Sequence, residues 1–217
     1  MASHRWAPLR AARRALLFTP LCVVLGACGS LSLLPERTAQ TYYRFDDASP
    51  HPAPRAQPLA HSIVIAPISS NAVGNAYGML YSRAPGERAY YQYNEWTDRP
   101  TLRVAQLLLE RLDARHAFAG VAQVGSGAAG DVLVNVVVDD VVHDLSGGGG
   151  GVGRLTVVME IIDRHERRML GRRTFVDSSP AQSANAAGGA GAINRALTTF
   201  LDAASPWIET IVESMGR

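Results

Sequence analysis

Cys28 is the side chain whose setting calls most clearly for covalent chemistry. It closes the run Leu25-Gly26-Ala27-Cys28, which matches the bacterial lipobox. A thiol there can receive a diacylglyceryl thioether. Gly26 and Ala27 are small enough to enter a signal peptidase, and cleavage before Cys28 frees its amine for a third acyl chain. Three chains, at about 0.8 kcal/mol per buried CH₂, make a near-permanent anchor. The upstream residues fit the same reading. Arg5, Arg10, Arg13 and Arg14 form a positive segment, and Ala15 to Gly26 is an apolar run with Pro20 inside it, too short for a comfortable membrane span. Residues 1–27 therefore read as a signal peptide, 28–40 as an acylated N-terminus and tether, and 41–217 as the domain. Cys22 leaves with the signal, so Cys28 is the sole mature cysteine and no disulfide is expected.

Other chemistry finds little support. The 21 basic residues are all Arg, so a Schiff-base lysine, a Walker lysine and a Ser/Lys dyad are excluded. The six His residues share no ligand spacing such as i, i+4, and no metal or cofactor is expected beyond the lipid on Cys28. Asp139, Asp140 and Asp144 cluster near a strand end. They could form an acid/base pair, but they read better as a charged strand end before a loop. No Gly-x-Ser-x-Gly elbow occurs. The run Gly147 to Gly151 lacks a following Lys or Ser/Thr in phosphate-loop spacing and reads as a flexible hairpin loop.

The remaining candidates are aromatic. Tyr90, Tyr91, Tyr93 and Trp96 fall within seven residues. Such side chains bring apolar area with a polar handle, which suits contact with a partner or a lipid. On a strand, Tyr91 and Tyr93 share one face and Tyr90 takes the other. The phase toward the apolar start of the next helix predicts that Tyr91 and Tyr93 are buried, Tyr90 is exposed and Trp96 is core.

The elements that must position these residues follow from periodicity. Thr41–Phe45, Ser62–Ile68, Met79–Arg83, Arg88–Asn94 and Phe118–Val124 read as strands. A helix follows Asp98, which can cap it, with Pro100 in its first turn. Ala105, Leu108, Leu109 and Leu112 make its apolar stripe, with Arg103, Glu110, Arg111 and Asp113 largely off it. Val132, Val134, Val136 and Val138 share one face of a long strand that continues past a bulge to Leu145. Gly153–Asp163 and Arg168–Val176 pair across a polar turn. Apolar positions from Ile193 to Met215 recur every three or four residues through Pro206, which predicts one helix. The stretch Ala181–Gly191 is unusually rich in Ala and Gly for a helix approach. The expected fold is an α/β sandwich: a mixed, mostly antiparallel sheet of about five to seven strands packed with two principal helices.

The chain has 217 residues, 47% apolar and 18% charged, which argues against disorder. Without the signal, 17 Arg face 19 acidic residues, a near-neutral balance that argues against nucleic acid.

The order of features resembles the ABC-type transport auxiliary lipoproteins, the PqiC-like family associated with MCE-domain lipid transporters. The resemblance rests on the lipobox, Tyr42-Tyr43-Arg44-Phe45, the strand Ile63 to Pro67, and the aromatic strand running into Asn94-Glu95-Trp96 and Pro100. The Val strand, the hairpin and a C-terminal helix with Trp207-Ile208 complete it. It implies a non-catalytic subunit that docks an MCE-domain periplasmic protein while other subunits hydrolyse ATP. A ring of copies around the conduit is compatible with that role. Gly29 and Ser30, with no Asp after Cys28, resemble lipoproteins sorted to the outer membrane with the domain facing the periplasm. Two other classes stay open: an envelope-assembly or secretion-system lipoprotein, and a lipid-tethered hydrolase.

Overall fold

The organising strand is built from alternating valines. In the computed structural model, which describes residues 38–49 and 53–216, β1 to β8 span Thr41–Tyr43, Leu59–Pro67, Gly78–Ser82, Ala89–Trp96, Phe118–Gln123, Val132–Asp144, Val152–Asp163 and Arg168–Pro180. Val132, Val134, Val136 and Val138 of β6 are all buried on one face, as are Leu155, Val157, Met159 and Ile161 of β7. Period-2 alternation with one apolar face produces this pattern. The residues of the signal and lipobox, including Leu25, Gly26, Ala27 and Cys28, lie outside the described residues.

β7 pairs antiparallel along the whole of β6, and β8 pairs antiparallel with β7. The other edge of β6 is shared. β2 pairs parallel with its start, Ile63 opposite Val132, and β3 pairs parallel with its end, Tyr81 opposite His143. Between them β6 bulges at Val138–Asp140. There the Asn71 amide donates to the carbonyls of Val138 and Asp139 at 3.2 and 3.0 Å. A side chain thus satisfies backbone groups that no strand reaches. β5 extends the sheet parallel to β2. β4 pairs antiparallel with β3, and β1 parallel with β4. The sheet has eight strands, one above the expected range, and most of its paired residues are antiparallel.

Two helices cover one face: α1 (Pro100–Ala114) and α2 (Ala186–Glu213). Val104, Leu108 and Leu112 of α1 join Ile193, Leu197, Phe200 and Leu201 of α2 in the same core as the β6 and β7 side chains. α2 runs unbroken through Pro206, and the Ser205 hydroxyl donates to Leu201 O within it and caps no new helix. Its glycine-rich start has a packing reason. A Cβ on Gly189 would stand 2.6 Å from His143 Nδ1, and one on Gly153 would run into the backbone at Ile193. Glycine lets helix and sheet approach there.

Two expectations for α1 are corrected. Asp98 does not cap it; the N-cap is Arg99, without a side-chain bond, and the Asp98 carboxylate accepts from Thr97 Oγ1 at 2.8 Å. Arg103 and Arg111 are buried, not off the packed face. Arg111 is drawn inward by Asp47 and Asp202, and Arg103 by the carbonyl of Phe45. These partners are remote in sequence, so helical periodicity cannot reveal them.

Candidate functional site: an exposed aromatic face

β4 carries the four aromatics toward different environments. Trp96 is 1% exposed and stacks on Phe45 with ring centroids 4.0 Å apart. It is core, between β4 and the start of α1. Its indole Nε1 finds no acceptor among the described residues.

Tyr91 faces the helices and is half-buried. Its ring lies 4.8 Å from that of Tyr81, and its hydroxyl is 2.8 Å from His143 Nδ1. Burial, aided by neighbouring Tyr81, pushes the Tyr91 phenol above its ordinary value.

Tyr90 takes the opposite face and is 54% exposed. It stands opposite Leu80, and its ring lies across Gly78, where a Cβ would meet Tyr90 Cδ1 at 2.5 Å.

Tyr93 corrects the expectation of burial: it is 40% exposed. The cause is a bulge. From the Leu80–Tyr90 pair to the Gly78–Glu95 pair, β3 advances two residues while β4 advances five. The extra residues break strict alternation, so Tyr93 does not share the environment of Tyr91.

The bulge also assembles a patch. Tyr42 on β1 stands opposite Glu95, which stands opposite Gly78. Residues directly paired across strands point to the same face. Tyr42, 59% exposed, therefore shares the open face with the Tyr90 ring lying over Gly78. Tyr42 is absent from the sequence-derived candidates. The signal was the Tyr42-Tyr43 doublet, since adjacent strand residues must point oppositely; Tyr43 packs against the core.

Asp139 is exposed, and the other polar candidates make ordinary contacts. Asp140 pairs with Arg88 at 3.0 Å, and Asp144 is held by Arg154 and Ser146. Ser146 bonds hold the Asp144 carboxyl low. His165 reaches Asp131 at 3.1 Å. No group of three His, Cys, Asp or Glu side chains stands close enough to hold a metal among the described residues. The Gly147–Gly151 run is more than a loose loop. Gly148, Gly149 and Gly151 have positive φ, and Gly150 O accepts from His143 Nε2 at 2.7 Å. No described helix is long and apolar enough to cross a membrane.

The described residues form an eight-stranded sheet with helices on one face and exposed tyrosines on the other. Comparison with known proteins gives the chain's class. The profile of the ABC-type transport auxiliary lipoprotein component family matches residues 43–204. The chain belongs to that family. The XCC0632 protein of Xanthomonas campestris, a DUF330 protein, shares its fold: TM-score 0.72 at 18% identity, over 81% of this chain and 99% of that one. A second solved structure, of an uncharacterised protein, gives 0.60 at 11% identity over 79% and 99%. No curated protein matches the sequence.

Proposed function

We infer that this chain is an outer-membrane lipoprotein acting as the non-catalytic docking subunit of an MCE-type ABC lipid transport system, with its domain in the periplasm. The family match over residues 43–204 carries the reading. The lipobox ending at Cys28 supplies the anchor. The open face bearing Tyr42 and Tyr90 is the surface offered to the MCE-domain protein, because exposed tyrosines on a rigid sheet contribute binding area at low entropic cost. ATP hydrolysis belongs to other subunits, and several copies can surround one conduit.

Co-purification from detergent-solubilised envelopes tests the reading. The MCE-domain protein should accompany the tagged wild-type lipoprotein. Cys28→Ser should remain a precursor in the inner membrane and lose acyl labelling. Recovery of the complete chain without any MCE-domain protein would contradict the docking role. Unchanged outer-membrane labelling of Cys28→Ser would contradict the anchor.

A further inference from the structure

An open surface cavity of about 430 Å³ lies where the segment after β1, the end of β4 and the first turns of α1 meet. Arg44, Thr97, Asp98, Arg103 and Gln106 line it. The Arg103 side chain is 6% exposed. A buried guanidinium needs acceptors for its donors, because desolvation otherwise outweighs what it gains. Arg103 has few. Its Nε donates to Phe45 O at 3.2 Å, and Nη1 reaches the 47% exposed Glu110 at 3.3 Å. Its Nη2 has no hydrogen-bond partner among the described residues and is not fully buried, so it is open to the cavity.

Two arginines elsewhere in α1 and just after it are bound by more carboxylate oxygens. Arg111 is held by Asp47 and Asp202, and both Nε and Nη2 of Arg115 bond Glu209. The incomplete pairing of Arg103 is thus local to the cavity. Arg44, on the same wall, has no carboxylate partner for its guanidinium among the described residues. Asp98 is the one acid lining the cavity, and its contact is with Thr97 Oγ1. The wall therefore offers two guanidinium groups to an anion and one carboxylate to a cation, with Gln106 as a neutral donor and acceptor.

We propose that this cavity binds a phosphate group carrying a short aminoalkyl arm, as in an ethanolamine-phosphate headgroup. The phosphate sits against Arg44 and Arg103, and the ammonium against Asp98. Arginine forks fit phosphate oxygens bidentately. Inorganic phosphate would satisfy the arginines but would face the Asp98 carboxylate without compensation. A lipid as the source of the headgroup rests on the lipid-transport reading above; the phosphate site itself stands on the cavity alone.

Isothermal titration of the mature acylated protein in uncharged detergent tests this, with glycerophosphoethanolamine and inorganic phosphate as probes. Saturable binding of glycerophosphoethanolamine is expected, tighter than that of inorganic phosphate. Arg44→Gln should weaken both by about tenfold, the loss of one charge-assisted contact, without moving the unfolding midpoint. Asp98→Asn should weaken glycerophosphoethanolamine and leave inorganic phosphate unchanged or tighter. Absence of saturable binding, or an Arg44→Gln protein that binds like wild type, would overturn the site. Equal or tighter binding of inorganic phosphate would overturn the headgroup assignment. None of these outcomes alters co-purification with the MCE-domain protein, so the two readings fail separately.

Discussion

The Tyr91 hydroxyl and His143 Nδ1 lie 2.8 Å apart, behind the sheet edge that carries the exposed tyrosines. His143 is fully buried, and its Nε2 faces Gly150 O at 2.7 Å. A carbonyl can only accept, so Nε2 carries a proton, and in the neutral ring the Tyr91 hydroxyl donates to Nδ1. One side chain thus ties β4, the glycine run and the start of α2 together.

That tie makes Gly189 a test of packing. Alanine favours a helix interior over glycine by about 1 kcal/mol. Overpacking against the His143 ring costs about 1–3 kcal/mol, so Gly189→Ala should be net destabilising in chemical unfolding. With His143→Ala the ring is gone and only a Cβ 3.0 Å away remains, so Gly189→Ala should cost less in that background than in the wild type. An equal cost in both backgrounds would remove the contact from the account.

Two carboxylates should give opposite pH signatures. Bonds from Ser62 N and Oγ, with His165 beside them, hold Asp131 well below the usual carboxylate range. Its folded value lies below its unfolded one, so it stabilises above the unfolded value and that contribution is lost as pH falls. Burial raises Asp177, with Arg173 only partly opposing, and its Oδ2 has no partner among the described residues. Its charge is a penalty above its folded value and vanishes in acid. Asp131→Asn should therefore lower the thermal midpoint at neutral pH, and Asp177→Asn should raise it. The Asp131 difference should shrink as pH falls below about 4, whereas the Asp177 difference should already have disappeared by then. Parallel offsets at every pH would contradict the assignment.

The aromatics should divide by burial. Trp96→Ala should cost about 3–5 kcal/mol in unfolding free energy. Tyr42→Ala, Tyr90→Ala and Tyr93→Ala should each cost under about 1 kcal/mol. A loss for Tyr90→Ala as large as that for Trp96→Ala would mean that the open face is structural.

Much of this arrangement is legible in the chain. Alternation along Val132–Val138 marks the core face, and its change of phase near Asp139 marks the bulge. The apolar register through Pro206 marks one helix because an amphipathic stripe persists across it. Tyr93 is misplaced by sequence because its orientation depends on how β4 pairs with β3, and a bulge arises from that pairing. Arg103 and Arg111 are misplaced because their acceptors lie on the segment after β1 and on α2. Tyr42 becomes visible as a neighbour of Tyr90 only when β1 docks beside β4.

The docking face is tested most directly by photo-crosslinking in intact cells. A photoreactive residue replaces Tyr42 or Tyr90 on the open face, or Thr199, which is exposed on α2 in the helical layer. Crosslinks to the MCE-domain protein from positions 42 and 90, and none from 199, are the expected result. Crosslinks from 199 alone, or no crosslink to that protein from 42 or 90, would contradict the account.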